Sequence, residues 1–455
     1  MGTCGPPSSP ITQLSYQDSP LKIAIVGAGP AGLTLACALA REGGYAIDLF
    51  ERGDDHFLAP TYNPSRSYTI DITGHGLNAA LQIGIADRFD GELIPFKGIK
   101  TAPAPWLHRF GVGYGLEPYE SRGWTGSRGD ICRSLQAHLI DRYADVVNLH
   151  FGVEAQLVNA CNAELELTWL GTNQREIRCF DLAVGCDGGG SALRRALSEQ
   201  QPEFRVESTD LGNHSTMLHL DQNLEELDPH YLYLFATQPV LVVAGAIKGP
   251  NGTADPLWFC QVGFQAATSF ASFADAADLL DRAHPLLRHF ASDEMVAGFS
   301  QRECLPTGKS KRCSSLVIDR VALLGDAGAP VPPVGQGVNA AMQGATVLAQ
   351  CLADHRHSLD QGLAAYSRQW QAECDALRQI AIGTFQSIKK TPWRILFASK
   401  FGHLGIDLAK DRRLSGKKSA RGADLSTSES ILRVEHHGPR DRQMAVKESW
   451  SEAKD

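Results

Sequence analysis

The chain has 455 residues, 43% of them apolar and 21% charged, with a formal net charge of −8. That length exceeds one compact core, so two domains with appendages are expected, and the acidic balance excludes an electrostatic nucleic-acid binder. Eleven scattered cysteines form no C-x-x-C pair and fifteen histidines show no zinc spacing, so free thiols in a reducing, cytoplasmic setting and no metal site are expected.

Residues 1–20 are polar, lack the apolar core of a secretory signal and read as a disordered tail. The strand "LKIAIV" (21–26), the turn "GAGPAG", the helix "LTLACALARE" (33–42) and the strand "AIDLFER" (46–52) form a β-α-β unit, which predicts a parallel sheet. Gly27-x-Gly29-x-x-Gly32 sits between that strand and helix. Its glycines permit the tight turn, the approach of a pyrophosphate and close helix–strand packing, while helix amides face the phosphates. Glu51, 24 residues after Gly27 and followed by Arg52, closes the next strand, where a carboxylate can accept from a ribose hydroxyl.

Further along, "SRGDICRSL" (127–135) opens a helix, and "FDLAVGCDGGGS" (180–191) is an apolar strand ending at Asp187. Alternating strands fill 205–265. Among them "YLYLFATQPVLVVAGAI" (231–247) is broken by Thr, Gln and Pro, so it reads as two strands and not as an integral membrane span. A period of two puts Tyr231, Tyr233 and Phe235 on one face. Two readings stay open there: a wall for a flat aromatic ligand, or a core stripe. "AADLLDRAHPLLRHF" (276–290) is a helix that Pro285 kinks or splits. "PTGKS" (306–310) is no phosphate loop, because the required first glycine falls on Glu303. "LVIDRVALLGDAG" (316–328) is another strand ending in Asp326. A Pro/Gly loop follows, then helix from 337 to about 390. An Asp at a strand's carboxyl end can cap a helix. Two of them together with the glycine motif suit the ribityl hydroxyls of FAD better than the riboside of NAD.

These stretches, with "DLAVGCDGGGSALRRAL" (181–197) and "SKRCSSL…VALLGDAGAPVPPVGQGVN" (310–339), resemble the aromatic-hydroxylase class of flavoprotein monooxygenases, nearest its kynurenine 3-monooxygenase branch. The likeness spans roughly 21–350. It implies an α/β fold: a Rossmann-like FAD-binding domain with a parallel sheet (21–190 and 300–350, with 76–120 partly substrate-facing). An inserted mixed β-sheet substrate domain (191–299) and a C-terminal helical segment (351–410) follow, with a disordered tail at 411–455. It implies that Gly27, Gly29 and Gly32 hold the pyrophosphate, with Glu51 and Arg52 at the AMP ribose. Arg128, Asp187 and Asp326 reach the phosphate and ribityl region, and Asp187 belongs to a motif the family uses for NADPH as well. The backbone from Pro333 through Gly335, Gln336, Gly337 and Val338 to Asn339 lies beside the isoalloxazine. Amides at Gly335, Gln336 and Gly337 stabilise charge on the reduced ring.

The chain departs from the family at Ala329, where a His is usual, at Val334, where an aromatic is common, and at Gln343-Gly344, where Glu-Asp is common. Tyr119, Arg109 and Arg122 are substrate candidates by region, beside Tyr231, Tyr233 and Phe235. The implied activity is hydroxylation or epoxidation of an aromatic or polycyclic small molecule through a flavin C4a-hydroperoxide, using O2 and NADPH or NADH. The alternatives are a reductase, dehydrogenase or cyclisation catalyst on the same scaffold, or a flavin-binding module without turnover. The basic, partly amphipathic 385–410 reads as a lid or packing helix, with a peripheral membrane contact as the alternative.

Overall fold

In the order Val317–Ile318, Val321–Leu323, Leu182–Gly185, Leu21–Val26, Tyr45–Glu51 and Val147–Phe151, six strands form the central sheet. All neighbours are parallel except the first pair. The computed structural model describes residues 20–60, 68–103, 105–219, 227–237, 240–249, 256–264, 274–290, 304–332 and 335–390. The 1–19 tail, the 391–455 segment with most of the basic stretch, and Pro333 and Val334 lie outside these residues.

The period of two along Leu21–Val26 divides the core. Ile23 and Ile25 pack toward the helices Pro30–Glu42, Gly74–Ile83, Arg128–Tyr143 and Gly337–Asp354. Ala24 and Val26 face the three-stranded sheet Val153–Asn159, Glu164–Trp169, Gln174–Cys179 and the helix Ala192–Gln200. Covering both faces is what a parallel sheet requires.

A second, seven-stranded sheet runs Leu305–Pro306, His214–His219, Leu257–Phe264, Val240–Ile247, Tyr231–Thr237, Gly98–Thr101, Gly115–Pro118. Its strands come from three separate stretches, so the boundary 191–299 does not enclose it. The helix Ala192–Gln200 belongs to the first core instead. The helix Ala276–Ala283 ends before His284, and a 3₁₀ turn takes over from Pro285, whose ring cannot continue the ladder. The long helix Leu359–Lys390 rests on the first domain, with Tyr366 and Trp370 in its core and the Tyr366 hydroxyl donating to Leu323 O at 2.9 Å. No helix among the described residues is long and apolar enough to cross a membrane.

Candidate functional site

Gly27 leaves its strand at φ +109°, and a Cβ there would lie 2.4 Å from Cys186 O. A Cβ on Gly32 would lie 1.9 Å from Gly27 O. Strand, turn and helix therefore meet backbone to backbone, which only glycine allows. The helix Pro30–Glu42 starts with Pro and has no side-chain cap, so its first amides remain for an outside acceptor. A Cβ on Gly29 would sit 3.0 Å from the Arg128 guanidinium, which places a cation over the turn. Glu51 is held at the turn's mouth: Oε2 accepts from Ala28 N and Oε1 from Gly53 N, both at 2.8 Å. Arg52 lies exposed beside it.

The loop after that strand is anchored too. His56 Nε2 lies 2.7 Å from Ala28 O, and burial keeps the ring's pKa below its ordinary value. Arg133 donates to His56 O and Ala59 O at 3.1 Å. A cavity of about 260 Å³ between the helix Arg128–Tyr143 and the edge strand Val147–Phe151 touches this loop at Asp55 and none of the site residues.

The two strand-end aspartates differ. Asp187 Oδ2 accepts from Ala192 N at 2.6 Å and Leu193 N at 3.3 Å, capping the helix Ala192–Gln200. Its Oδ1 is buried and has no hydrogen-bond partner among the described residues. Capping thus uses only one of the two carboxylate oxygens. Asp326 is exposed as a residue, yet protein surrounds its carboxyl closely enough to desolvate it. That enclosure raises its pKa, and Arg128 and then Arg194 pull it down. Gly325, at φ +59°, is wedged between helices: a Cβ would lie 3.1 Å from Ala341 Cβ and 3.3 Å from Ala31 Cβ.

Arg194 joins the two turns, a role sequence reasoning missed. Only 3% exposed, it donates to Asp326 O at 3.0 Å, Ala327 O at 2.5 Å and also Gly189 O. The available signal was Ser191-Ala-Leu-Arg-Arg: a capped helix whose first turn aims one arginine inward. Tyr68 was also missed; burial raises its phenol pKa and the Asp326 charge adds to that.

At the far end Gly335 turns at φ +75° and the helix Gly337–Asp354 begins without a side-chain cap. Gln336 is 1% exposed, yet its side-chain Nε2 and Oε1 both lack partners among the described residues. A buried amide of this kind requires a hydrogen-bond partner, from water or from a ligand. Val338 is half-buried on the first turn. The Asn339 side chain is engaged within the protein. Its Nδ2 donates to Asp71 O at 2.9 Å and Gly335 O at 3.1 Å, and its Oδ1 accepts from Thr73 N at 3.0 Å. Gly76 makes room, since a Cβ there would lie 2.1 Å from that oxygen. The side chain is a latch between the 71–76 segment and the turn. Asp71 is buried behind Gly335, whose Cβ would lie 3.4 Å from Asp71 Oδ1.

The departure at Gly344 has a packing cause: a Cβ there would lie 2.5 Å from Trp370 Nε1, so the long C-terminal helix needs this glycine.

The substrate side requires a correction. Tyr233 and Phe235 are fully buried, with Tyr231 packed beside them, in a core with Val242, Ala244, Leu279 and Leu280. Their face is covered by the helix Ala276–Ala283, so the core-stripe reading holds and the aromatic-wall reading fails. Aromatic bulk goes where a helix can bury it. The opposite face carries Leu232 and Gly245, and a Cβ on Gly245 would lie 2.8 Å from Thr69 Oγ1, two residues before Asp71. That face, not the aromatic one, meets the segment that leads to Asp71. Tyr119 sits at the junction, its hydroxyl accepting from Gly74 N at 3.1 Å and its ring 5.5 Å from that of Phe96. Arg122 is drawn off into ion pairs with Asp87 and Asp90, and Arg109 lies exposed.

Comparison with known proteins agrees with this geometry. A family model described as an FAD binding domain matches residues 20–379. Kynurenine 3-monooxygenase of Stenotrophomonas maltophilia is 27% identical over 393 residues, covering 81% of this chain and 79% of that protein. The Anopheles gambiae protein of the same name is 26% identical over 373 residues, covering 79% of this chain and 74% of its own length. Among solved structures, 2-methyl-3-hydroxypyridine-5-carboxylic acid oxygenase is similar at TM-score 0.62 and 18% identity, over 87% of this chain and 98% of that one. The tetracycline destructase Tet(51) is similar at TM-score 0.60 and 19% identity, over 86% and 98%. At those identities the structural likeness shows the fold.

Proposed function

The chain belongs to the FAD-binding domain family, and from that premise we propose that it is a monooxygenase inserting one atom of O2 into an aromatic or polycyclic small molecule at the expense of NADPH or NADH. FAD is its cofactor. When bound, FAD supplies hydride acceptance and oxygen activation; the chain supplies position and charge. Gly27, Gly29, the first amides of Pro30–Glu42 and Arg128 hold the pyrophosphate, with Glu51 at the ribose. Asp326 and the free oxygen of Asp187 take ribityl hydroxyls. The amides of Gly335, Gln336 and Gly337 stabilise negative charge at the ring, and Asn339 holds them in place.

One observation carries this reading: the helix start at 335–337 has no side-chain cap, and the buried Gln336 amide there has no partner among the described residues. No side-chain nucleophile is required, because the protein's part is orientation and water exclusion. The ten described cysteines are all free, which supports the cytoplasm as its compartment. The test is NADPH oxidation with simultaneous O2 uptake across a panel of aromatic metabolites, with products weighed by mass spectrometry. A gain of one oxygen is expected; turnover that proceeds without oxygen overturns the reading in favour of a reductase or dehydrogenase.

A further inference from the structure

Away from the residues proposed to hold FAD, the cavity of about 260 Å³ beside the edge strand has apolar walls and a polar end. Periodicity builds the walls. Leu139 and Ile140, on one face of the helix Arg128–Tyr143, meet Val147, Leu149 and Phe151, which alternate along their strand. That strand ends the central sheet, so among the described residues no further strand fills the space beside it. Ile140 stays 41% exposed, and Leu149 and Phe151 are only half-buried, so apolar surface remains open to the cavity.

The polar end is rich in acceptors. Gln136 is 1% exposed, and its Nε2 donates to Asp55 Oδ1 at 2.9 Å. Its Oε1 has no hydrogen-bond partner among the described residues, and a buried amide oxygen of that kind needs a donor. Asp55 Oδ1 also accepts from Phe57 N at 2.8 Å, so both bonds fall on one oxygen and Oδ2 can take another. His56 beside it is neutral at pH 7, because burial lowers its pKa. Arg133, one turn before Gln136, turns its guanidinium to His56 O and Ala59 O and does not line the cavity.

We propose that this cavity is a second small-molecule site, taking an aromatic amine with its ammonium on Asp55 and Gln136 and its rings between helix and strand. An apolar cavity of about 150 Å³ is enough for benzene, so the larger space here admits two fused rings. An ammonium supplies several N–H donors to the open acceptors, and a charged pair makes each bond stronger than a neutral one. An acid would meet Asp55 charge to charge, and an alcohol would bring one donor and no charge. Occupancy also reaches the cofactor. Asp55 belongs to the loop that His56 ties to Ala28 O and that Gly53 N ties to Glu51, so a ligand that fixes Asp55 steadies the turn proposed to hold FAD. The coupling rests on that proposed FAD placement; occupancy of the cavity does not.

Calorimetric titration of the full-length, FAD-loaded chain with 2-naphthylmethylamine, 2-naphthalenemethanol and 2-naphthoic acid tests it. The amine should bind at least about tenfold more tightly than the alcohol, and the acid more weakly still. An amine that shows no binding up to about 1 mM, or an alcohol or acid that matches it, overturns the proposal. Asp55→Asn keeps an acceptor for Gln136 and Phe57 N but drops the charge, and should bring the amine down to the alcohol's affinity. Ala144→Trp, at an exposed position on the wall, should exclude all three probes. Both variants should keep their circular dichroism, their FAD and their basal NADPH oxidation. Amine affinity unmoved in either folded variant places the amine elsewhere and overturns the proposal. Saturating amine should slow FAD release on dilution about fivefold. Displacement of FAD by the amine would make the cavity part of the cofactor's own site and overturn a second one. Unchanged release removes the coupling alone. A chain that retains no FAD removes the functional reading beneath the coupling, and titration of the FAD-free chain then still decides the cavity.

Discussion

The cofactor end and the substrate end are built by opposite means. At the proposed cofactor end, backbone approaches backbone, and the groups proposed to bind are amides, one guanidinium and carboxylates at strand ends. At the substrate end, two apolar faces of one sheet share the same strands, and which face meets the ligand depends on where a helix from residues 276–283 lands. Cofactor recognition is thus written into residue types that admit no substitute. On the proposed reading, substrate recognition depends on which of two largely apolar faces is left uncovered.

The sharpest way to break this comparison is at Gly32. A methyl there collides with Gly27 O at 1.9 Å, so Gly32→Ala should abolish FAD retention and cost on the order of 5 kcal/mol or more. The ratio of flavin to protein absorbance after purification reads this directly. A yellow, stable G32A protein would show the turn to be more pliable than its contacts imply.

Next is Phe235→Ala. As a core residue it should cost about 3–5 kcal/mol in chemical denaturation. FAD bound per folded molecule and the preference among substrates should stay unchanged. Altered substrate KM at undiminished stability would return Phe235 to the cleft and reverse the assignment of the two faces.

These two positions also show what sequence can convey. Gly32 was readable because the reason for it is local: three glycines, a strand before, a helix after, and an acid 24 residues past the first. The two Asp turns were readable for the same reason. Alternation in 231–237 revealed two faces but not their neighbours, because the covering helix comes some forty residues later. The Asn339 latch joins residues 268 apart and the Arg194 clasp spans 132, separations at which no spacing rule operates. Gly344 read as a departure from the family pattern; only the Trp370 ring packed against it explains the glycine.

Arg194→Met probes the clasp between the two aspartate turns. Three backbone carbonyls lose a charged donor, for an expected loss of about 2–3 kcal/mol. Unlike Phe235→Ala, it should also speed FAD release, because Asp187 and Asp326 would no longer be held in register. Stopped-flow dilution into apoprotein scavenger measures that rate. Equal FAD release from the two variants would mean the clasp contributes stability only.

Asp326→Asn should have the smallest effect on folding and one whose sign depends on the ligand. Enclosure raises the folded-state pKa of this carboxyl despite Arg128 and Arg194. Between the ordinary carboxylate value near 4 and that raised value, the folded FAD-free chain therefore holds the proton more tightly than the unfolded one. Stability falls as pH rises through that window, and the ionised group remains a burden at neutral pH. Replacing it with Asn should stabilise the FAD-free protein at pH 7, by less than about 1 kcal/mol because the residue is exposed and water screens the charge. The gain should fade as pH drops below about 4. With FAD bound the order inverts: the ionised carboxylate accepts ribityl hydroxyls, so the variant should hold FAD about tenfold less tightly. Melting curves with and without FAD at several pH values separate the two. An Asn variant that is less stable without FAD at pH 7 would place Asp326 in the fold's own support and not in the cofactor's.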